Sequence, residues 1–258
     1  MTIEQLKFPS VRHLVSDAEW QTRVDLAAAY RLVALFGWDD IIFTHLTAKI
    51  AGTDHFLINP YGVMFDEVTA SSLVKVNLQG EKVMASDYDI IPAGFLIHST
   101  VHAARPDAHY VMHIHSVNGI AVSAQAGGLL ALSQQSLFVL GAIAYHDYEG
   151  IALQDAERVT LARDLGDKQY LMLRNHGILT TGRSAADAFL ALHKFETACM
   201  IQVRAQAGGG RLISIPDEVL ALRQSRSWQA AEAAGQKWCG PHSCAVWHGC
   251  RRGLIGDN

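Results

Sequence analysis

The chain has 258 residues, half of them hydrophobic and 18% charged. That is enough for one large domain or two small ones and too apolar for a disordered segment. The net charge of −4 and pI near 6.3 lack the basic balance that nucleic acid or an anionic membrane surface would require, so neither partner is expected.

No apolar run reaches the roughly 18 residues needed to span a bilayer. The opening MTIEQLKFPS lacks the basic-then-apolar layout of a secretory signal, so a cytoplasmic protein is expected. Of the four cysteines, Cys199, Cys239, Cys244 and Cys250, three fall in the last twenty residues and cannot cross-link the body of the chain.

Ser16 and Glu19 have capping-box spacing. After them Trp20, Val24, Ala28, Leu32 and Leu35 recur at helical spacing, and Gly37 ends the run. LTAKI, HFLIN and VKVNL then read as short strands, separated by turn signals at residues 51–54 and 59–62. A helix over 93–104 stops at Arg105-Pro106, and His109 to His115 reads as a strand, with a helix from about Val117.

Residues 142–146 read as a strand and 155–165 as a helix closed by Gly166. YLMLRNHGILTTG reads as two strands joined at Asn175-His176-Gly177, and Ser184 to Ala207 as a long helix stopped by three glycines. The pattern predicts one mixed α/β domain over 1–210 with a largely antiparallel sheet. A helical tail follows over 211–238, then an irregular segment over 239–258. The sequence shows no repeats and no phosphate-loop motif.

YVMHIHS, residues 110–116, raises the question of chemistry. Alternate side chains of a strand share a face, so His113 and His115 can grip one ion. His176, in its tight Asn-His-Gly turn, is the best candidate for a third ligand. Three neutral imidazoles with one open position suit catalytic zinc; iron(II), manganese(II) and cobalt(II) are also compatible. The competing reading is a polar strand face and a turn residue.

The stretches FLINPYGVMFDEVTASSLVKVNLQG, AGFLIHSTVHAARPDAHYVMHIHS, AYHDYEGI and LRNHGIL together resemble the class II aldolase/adducin family over about residues 16–210. The resemblance implies a three-layer αβα sandwich around a mostly antiparallel sheet, the fold of the zinc-dependent fuculose-phosphate-type aldolases. It also implies homotetramers with sites between subunits, and metal ligands at His113, His115 and His176. The motifs are closer to the adducin head than to the sugar-phosphate aldolases. The family's catalytic glutamate aligns with Gly94 in Pro92-Ala93-Gly94, which also lacks the serines that help hold phosphate. An asparagine assisting them aligns with His45. A phosphorylated sugar is therefore disfavoured.

Several other residues are candidates for the site. His98, four residues after Gly94, is a substitute acid or base, against packing or hydrogen bonding. His102, one turn further, is expected on a partly exposed helix face. Tyr145 and His146 in AYHDYEG are catalytic candidates, against an interface or structural role. Asn59 and Gly62 belong to a turn that matches a family loop bordering substrate, and Gly62 would let a ligand approach the backbone, against a plain turn. Cys239, Cys244, His248 and Cys250 fit zinc-ligand spacings poorly, and this tail reads as the product of a changed reading frame.

The expected activity is a metal-dependent lyase, by aldol cleavage or decarboxylation, on a small, non-phosphorylated hydroxy- or keto-acid or sugar-derived substrate. Aldol cleavage needs a base and a group to reprotonate the carbanion, whereas decarboxylation needs only an electron sink. The alternatives are a non-catalytic adducin-like binding or assembly module and an iron-dependent oxygenase.

Overall fold

The structure, a computed structural model, describes residues 8–151 and 156–222. Helix α1 runs over Asp17–Leu35, and the Ser16 side chain accepts from the Glu19 backbone N–H. The reciprocal half of the capping box does not form. The Glu19 carboxylate instead accepts from Arg23 Nε (3.1 Å) and Lys75 Nζ (2.8 Å). Arg23, fully buried, also donates to the carbonyls of Ala70 and Leu73, so the network ties the helix to the chain entering the strand Val74–Val76. A buried guanidinium needs such partners to offset its lost hydration.

The strands are β1 (His45–Lys49), β2 (Phe56–Ile58), β3 (Val74–Val76), β4 (Tyr110–Ile114), β5 (Ile143–His146), β6 (Tyr170–Leu173) and β7 (Gly177–Gly182). They form one sheet in the order β3-β2-β1-β4-β7-β6-β5. Every neighbouring pair is antiparallel except β5 with β6. Between them lie α2 (Pro92–Ala104), α3 (Val117–Ser123), α4 (Gln134–Leu140) and α5 (Ala156–Leu165); α6 (Ala185–Ala207) and α7 (Asp217–Leu222) follow.

Strand alternation sorts the core into two sides. Leu46, Tyr110, Met112, Ile114, Met172 and Ile178 pack with α1, α3, α4 and α6. Val111, Leu171, Leu173 and Leu179 pack with Leu96, Ile97 and Val101 of α2 and Leu161 and Leu165 of α5. Each such side chain fully buried contributes roughly 1.5–3 kcal/mol. The result is the three-layer αβα sandwich with a mostly antiparallel sheet. On the α2/α5 face, β4 presents His113 and β1 presents His45 and Thr47, buried polar residues beside the aliphatic Val111, Leu171, Leu173 and Leu179.

Helix α4 was not legible as a helix: seven residues give too few turns for a period to emerge. Its Ser133 cap and the Ser136 side chain bond each other's backbone N–H, so a box with serine in place of glutamate starts it. α7 lies within the tail expected to be helical. The rest of that tail and segment 239–258, with Cys239, Cys244, His248 and Cys250, lie outside the described residues. No helix among the described residues is long and apolar enough to cross a membrane.

The Tyr30 hydroxyl, fully buried, ties α1 to two strands. It accepts from Leu46 N–H (2.7 Å) and lies 2.5 Å from the Leu46 carbonyl and 2.9 Å from Asn59 Oδ1. Removing it strands these polar groups without water, which costs about 1–3 kcal/mol. Tyr30→Phe is expected to lower stability by that amount in urea unfolding; an unchanged midpoint would show the triad to be dispensable.

Candidate metal centre

Two elements bring three imidazoles together. β4 carries His113 at its end, with His115 just beyond it, and the turn between β6 and β7 carries His176. The turn uses each residue of Asn175-His176-Gly177 differently. Asn175 takes φ +56°, a left-handed conformation that asparagine tolerates. Gly177 lies so close to β4 that a Cβ there would sit 2.5 Å from the Ile114 carbonyl. The turn thereby presses His176 against the end of β4. His113 Nε2 and His115 Nε2 are 3.0 Å apart, and His115 Nε2 is 2.9 Å from His176 Nε2.

The outer nitrogens settle the state of two rings. His113 Nδ1 lies 3.0 Å from the Ile178 carbonyl, which only accepts, so Nδ1 carries the proton. His115 Nδ1 lies 3.0 Å from the carboxylate of Asp40 and is assigned its proton likewise. In the neutral rings both Nε2 atoms are therefore lone pairs, and they face one another at hydrogen-bond distance. Such lone pairs repel unless they share a cation.

Protonation is opposed. Burial first, then the neighbouring histidines, holds His113 well below its ordinary value, and burial with His115 and His146 brings His176 to about 4. Tetrahedral ligands at about 2.0–2.1 Å from zinc stand roughly 3.3 Å apart, within a few tenths of an ångström of the spacing found. These residues therefore fit a divalent ion, and among the described residues they are the one group of three that does. An outer hydrogen bond of each kind, to carbonyl and to carboxylate, is what orients metal-ligating histidines.

Asp40 escaped the sequence reading. It stands 75 residues from His115 in sequence, and no spacing signal links them. The turn that follows it is unusual: Ile41 (φ +55°) and Thr44 (φ +71°) hold left-handed conformations that branched residues avoid.

The other expected site residues divide by face. His45 pairs in register with His113, its ring 6.2 Å from that of His113 and 5.5 Å from that of His98. Gly94 abuts His45. His98 is fully buried, its Nδ1 2.7 Å from Thr47 Oγ1. His102, expected to be partly exposed, is buried instead: Nε2 meets the same Thr47 hydroxyl (2.8 Å) and Nδ1 the Ala108 carbonyl (3.0 Å). The short α2–β4 loop folds its own carbonyl over the helix and covers that face.

His146 is buried at the end of β5 with Nδ1 2.8 Å from Asp164 Oδ2. Tyr145 does not join them. It faces the other side of the sheet, where its hydroxyl accepts from Leu129 N–H (3.1 Å) and Arg174 lies over its ring. Asn59 is buried against Tyr30. Gly62 takes φ +88°, a turn conformation that favours glycine, with open space around its Cβ position.

The fold and this cluster define a class: an αβα-sandwich protein with a three-histidine centre suited to a divalent ion. The chain belongs to the class II aldolase and adducin N-terminal domain family, whose model matches residues 24–203. It resembles a solved aldolase II superfamily protein from Pseudomonas syringae, at 48% identity and TM-score 0.81, over 90% of this chain and 100% of that one. An L-fuculose 1-phosphate aldolase from Glaciozyma antarctica is 27% identical with TM-score 0.79, over 98% and 96% of the two chains. Alpha-adducin of Rattus norvegicus is 45% identical over 226 residues, which is 84% of this chain and 31% of that protein.

The buried histidines make stability depend on pH. Burial lowers His45 and His102 to about 3 and His176 to about 4, and depresses His98 and His113 well below 6.5. Unfolded, each takes a proton near 6.5. Folded, each resists until far lower. The unfolded chain thus binds more protons between, and stability, full above about 6.5, falls as the pH drops, by up to about 1.4 kcal/mol per pH unit for each histidine. Urea midpoints of metal-free protein should decrease from pH 7 to pH 5; a flat profile would contradict neutral burial.

Proposed function

We propose that the chain is a metal-dependent carbon–carbon lyase acting on a small, non-phosphorylated hydroxy- or keto-acid. His113, His115 and His176 would hold the ion. The observation that carries this reading is the pair of lone pairs on His113 and His115, fixed by the Ile178 carbonyl and by Asp40 and facing each other at 3.0 Å. A bound divalent ion supplies Lewis acidity toward the carbonyl or hydroxyl oxygens of such a substrate. Zinc fits the ligand set best; iron(II), manganese(II) and cobalt(II) are compatible.

Gly94 offers no proton-transfer group, so general acid–base work falls to the remaining residues. His98 and His146, both buried beside the centre, are the candidates. Decarboxylation makes the smaller demand on them, since carbon dioxide leaves without a proton. A cytoplasmic homotetramer completes the proposal. The exposed Leu35, Ile41 and Phe43 flank Asp40, and supply an apolar surface for a neighbouring subunit beside the centre. A second reading, a binding or assembly module, is favoured by Gly94 and by the likeness to alpha-adducin.

Elemental analysis of purified protein beside the His113→Ala/His115→Ala variant separates the two. The lyase reading expects about one divalent ion per chain in the wild type and a loss of at least tenfold in the variant. It also expects metal-dependent release of an aldehyde or carbon dioxide from hydroxy- or keto-acids without oxygen uptake. Metal-free wild type after reconstitution would favour the module; oxygen uptake with iron(II) alone would favour an oxygenase.

A further inference from the structure

Position 94 is the third residue of helix α2, with ordinary helical backbone. Glycine is the poorest choice there apart from proline: alanine would stabilise the helix, and a carboxylate near a helix N-terminus is favourable. Space explains the glycine. A Cβ at position 94 would lie 2.1 Å from His45 Nε2, 2.2 Å from Cδ2 and 2.4 Å from Cε1. The ring of His45 thus stands in the side-chain position of residue 94. It is only 6% exposed, packed near the rings of His98 and His113, so it has little room to swing aside. Thr44, at φ +71° immediately before it, holds a strained backbone in the process.

A chain of hydrogen bonds runs behind His45 as far as His98, and its direction can be derived. The Ala108 carbonyl only accepts, so His102 Nδ1 donates and His102 Nε2 is a lone pair. Thr47 Oγ1 must give its single proton to that lone pair. The same oxygen therefore accepts from His98 Nδ1, which leaves His98 Nε2 as an acceptor. That atom is buried and has no hydrogen-bond partner among the described residues; nor has Nδ1 of the adjacent His45. The two orphaned nitrogens make no hydrogen bond to each other, so the relay ends at His98 and leaves the tautomer of His45 open.

We propose that His45 and Gly94 form one specificity-setting pair: the His45 ring occupies the side-chain space of position 94, puts an imidazole nitrogen, Nε2, where a side chain on residue 94 would stand, and leaves no room for a carboxylate there. The ligand group that meets this surface in either tautomer is a hydroxyl, which both donates and accepts. The substrate class rests on the lyase reading above; the pairing of the two residues does not.

The test is a set of full-length variants read by thermal unfolding, with metal content measured on each. Gly94→Ala is expected to lower Tm by roughly 4 °C or more, because the new Cβ overpacks His45. In a His45→Asn background the same change is expected to leave Tm equal or raise it, since only the helix preference remains. Gly94→Glu should follow the same pattern with a larger first loss. Nitrogen-15 NMR of the imidazoles should show His98 and His102 as neutral Nδ1–H tautomers. Gly94→Ala tolerated beside His45, or equal losses in both backgrounds, would each overturn the proposal. A wild type without metal would defeat the lyase reading and leave these outcomes readable.

Discussion

The register of β4 is the constraint on which the rest depends. Its neighbours are β1 on one side and β7 on the other, so all of its backbone groups are committed to ladders and it cannot slide. A slip of one residue would turn His113 into the aliphatic layer with α6 and bring Met112 or Ile114 to the histidine side. The same register sets His45 opposite His113 and Leu179 on the far side. The centre is therefore built into the middle of the sheet, and the strand that stabilises the core also positions the ligand.

A wall of uncharged imidazoles costs stability in two ways. Each buried ring resists a proton that the unfolded chain would take, and unpartnered nitrogens lose hydration. His45 Nδ1, His98 Nε2 and His146 Nε2 are among the buried atoms without a hydrogen-bond partner. An aliphatic β1–β4–α2 interface would be more stable. Retention of a polar seam at the centre of a well-packed domain is what a functional site looks like in physical terms. Glu196 is a contrasting case: it is buried too, but accepts from Ser116 and Asn118 and serves to fasten α3 to α6.

Much of this was legible from residue patterns. Alternation in YVMHIHS placed His113 on a face, and the turn chemistry of Asn-His-Gly predicted a tight connection that delivers His176. The Gly37 and Gly166 stops and the long α6 were read from period and caps. What escaped has a common cause. Asp40 reaches His115 only through tertiary folding, and His102 is covered by a loop carbonyl that no helical period reveals. Tyr145 is one residue from His146, and a strand sends them to opposite faces; the sequence placed both near the site, but only the sheet decides which side holds the metal ligands. The Glu19 carboxylate was diverted from its cap by Arg23, whose burial a helical wheel does not foretell.

The central claim is that the Nε2 atoms of His113, His115 and His176 converge on one ion. X-ray absorption at the edge of the bound metal, in protein purified without a tag, tests it most directly. The account predicts about three imidazole nitrogens at roughly 2.0–2.1 Å, with any remaining ligand an oxygen. A shell containing sulfur near 2.3 Å, or one made of oxygens alone, would place the ion elsewhere and contradict it.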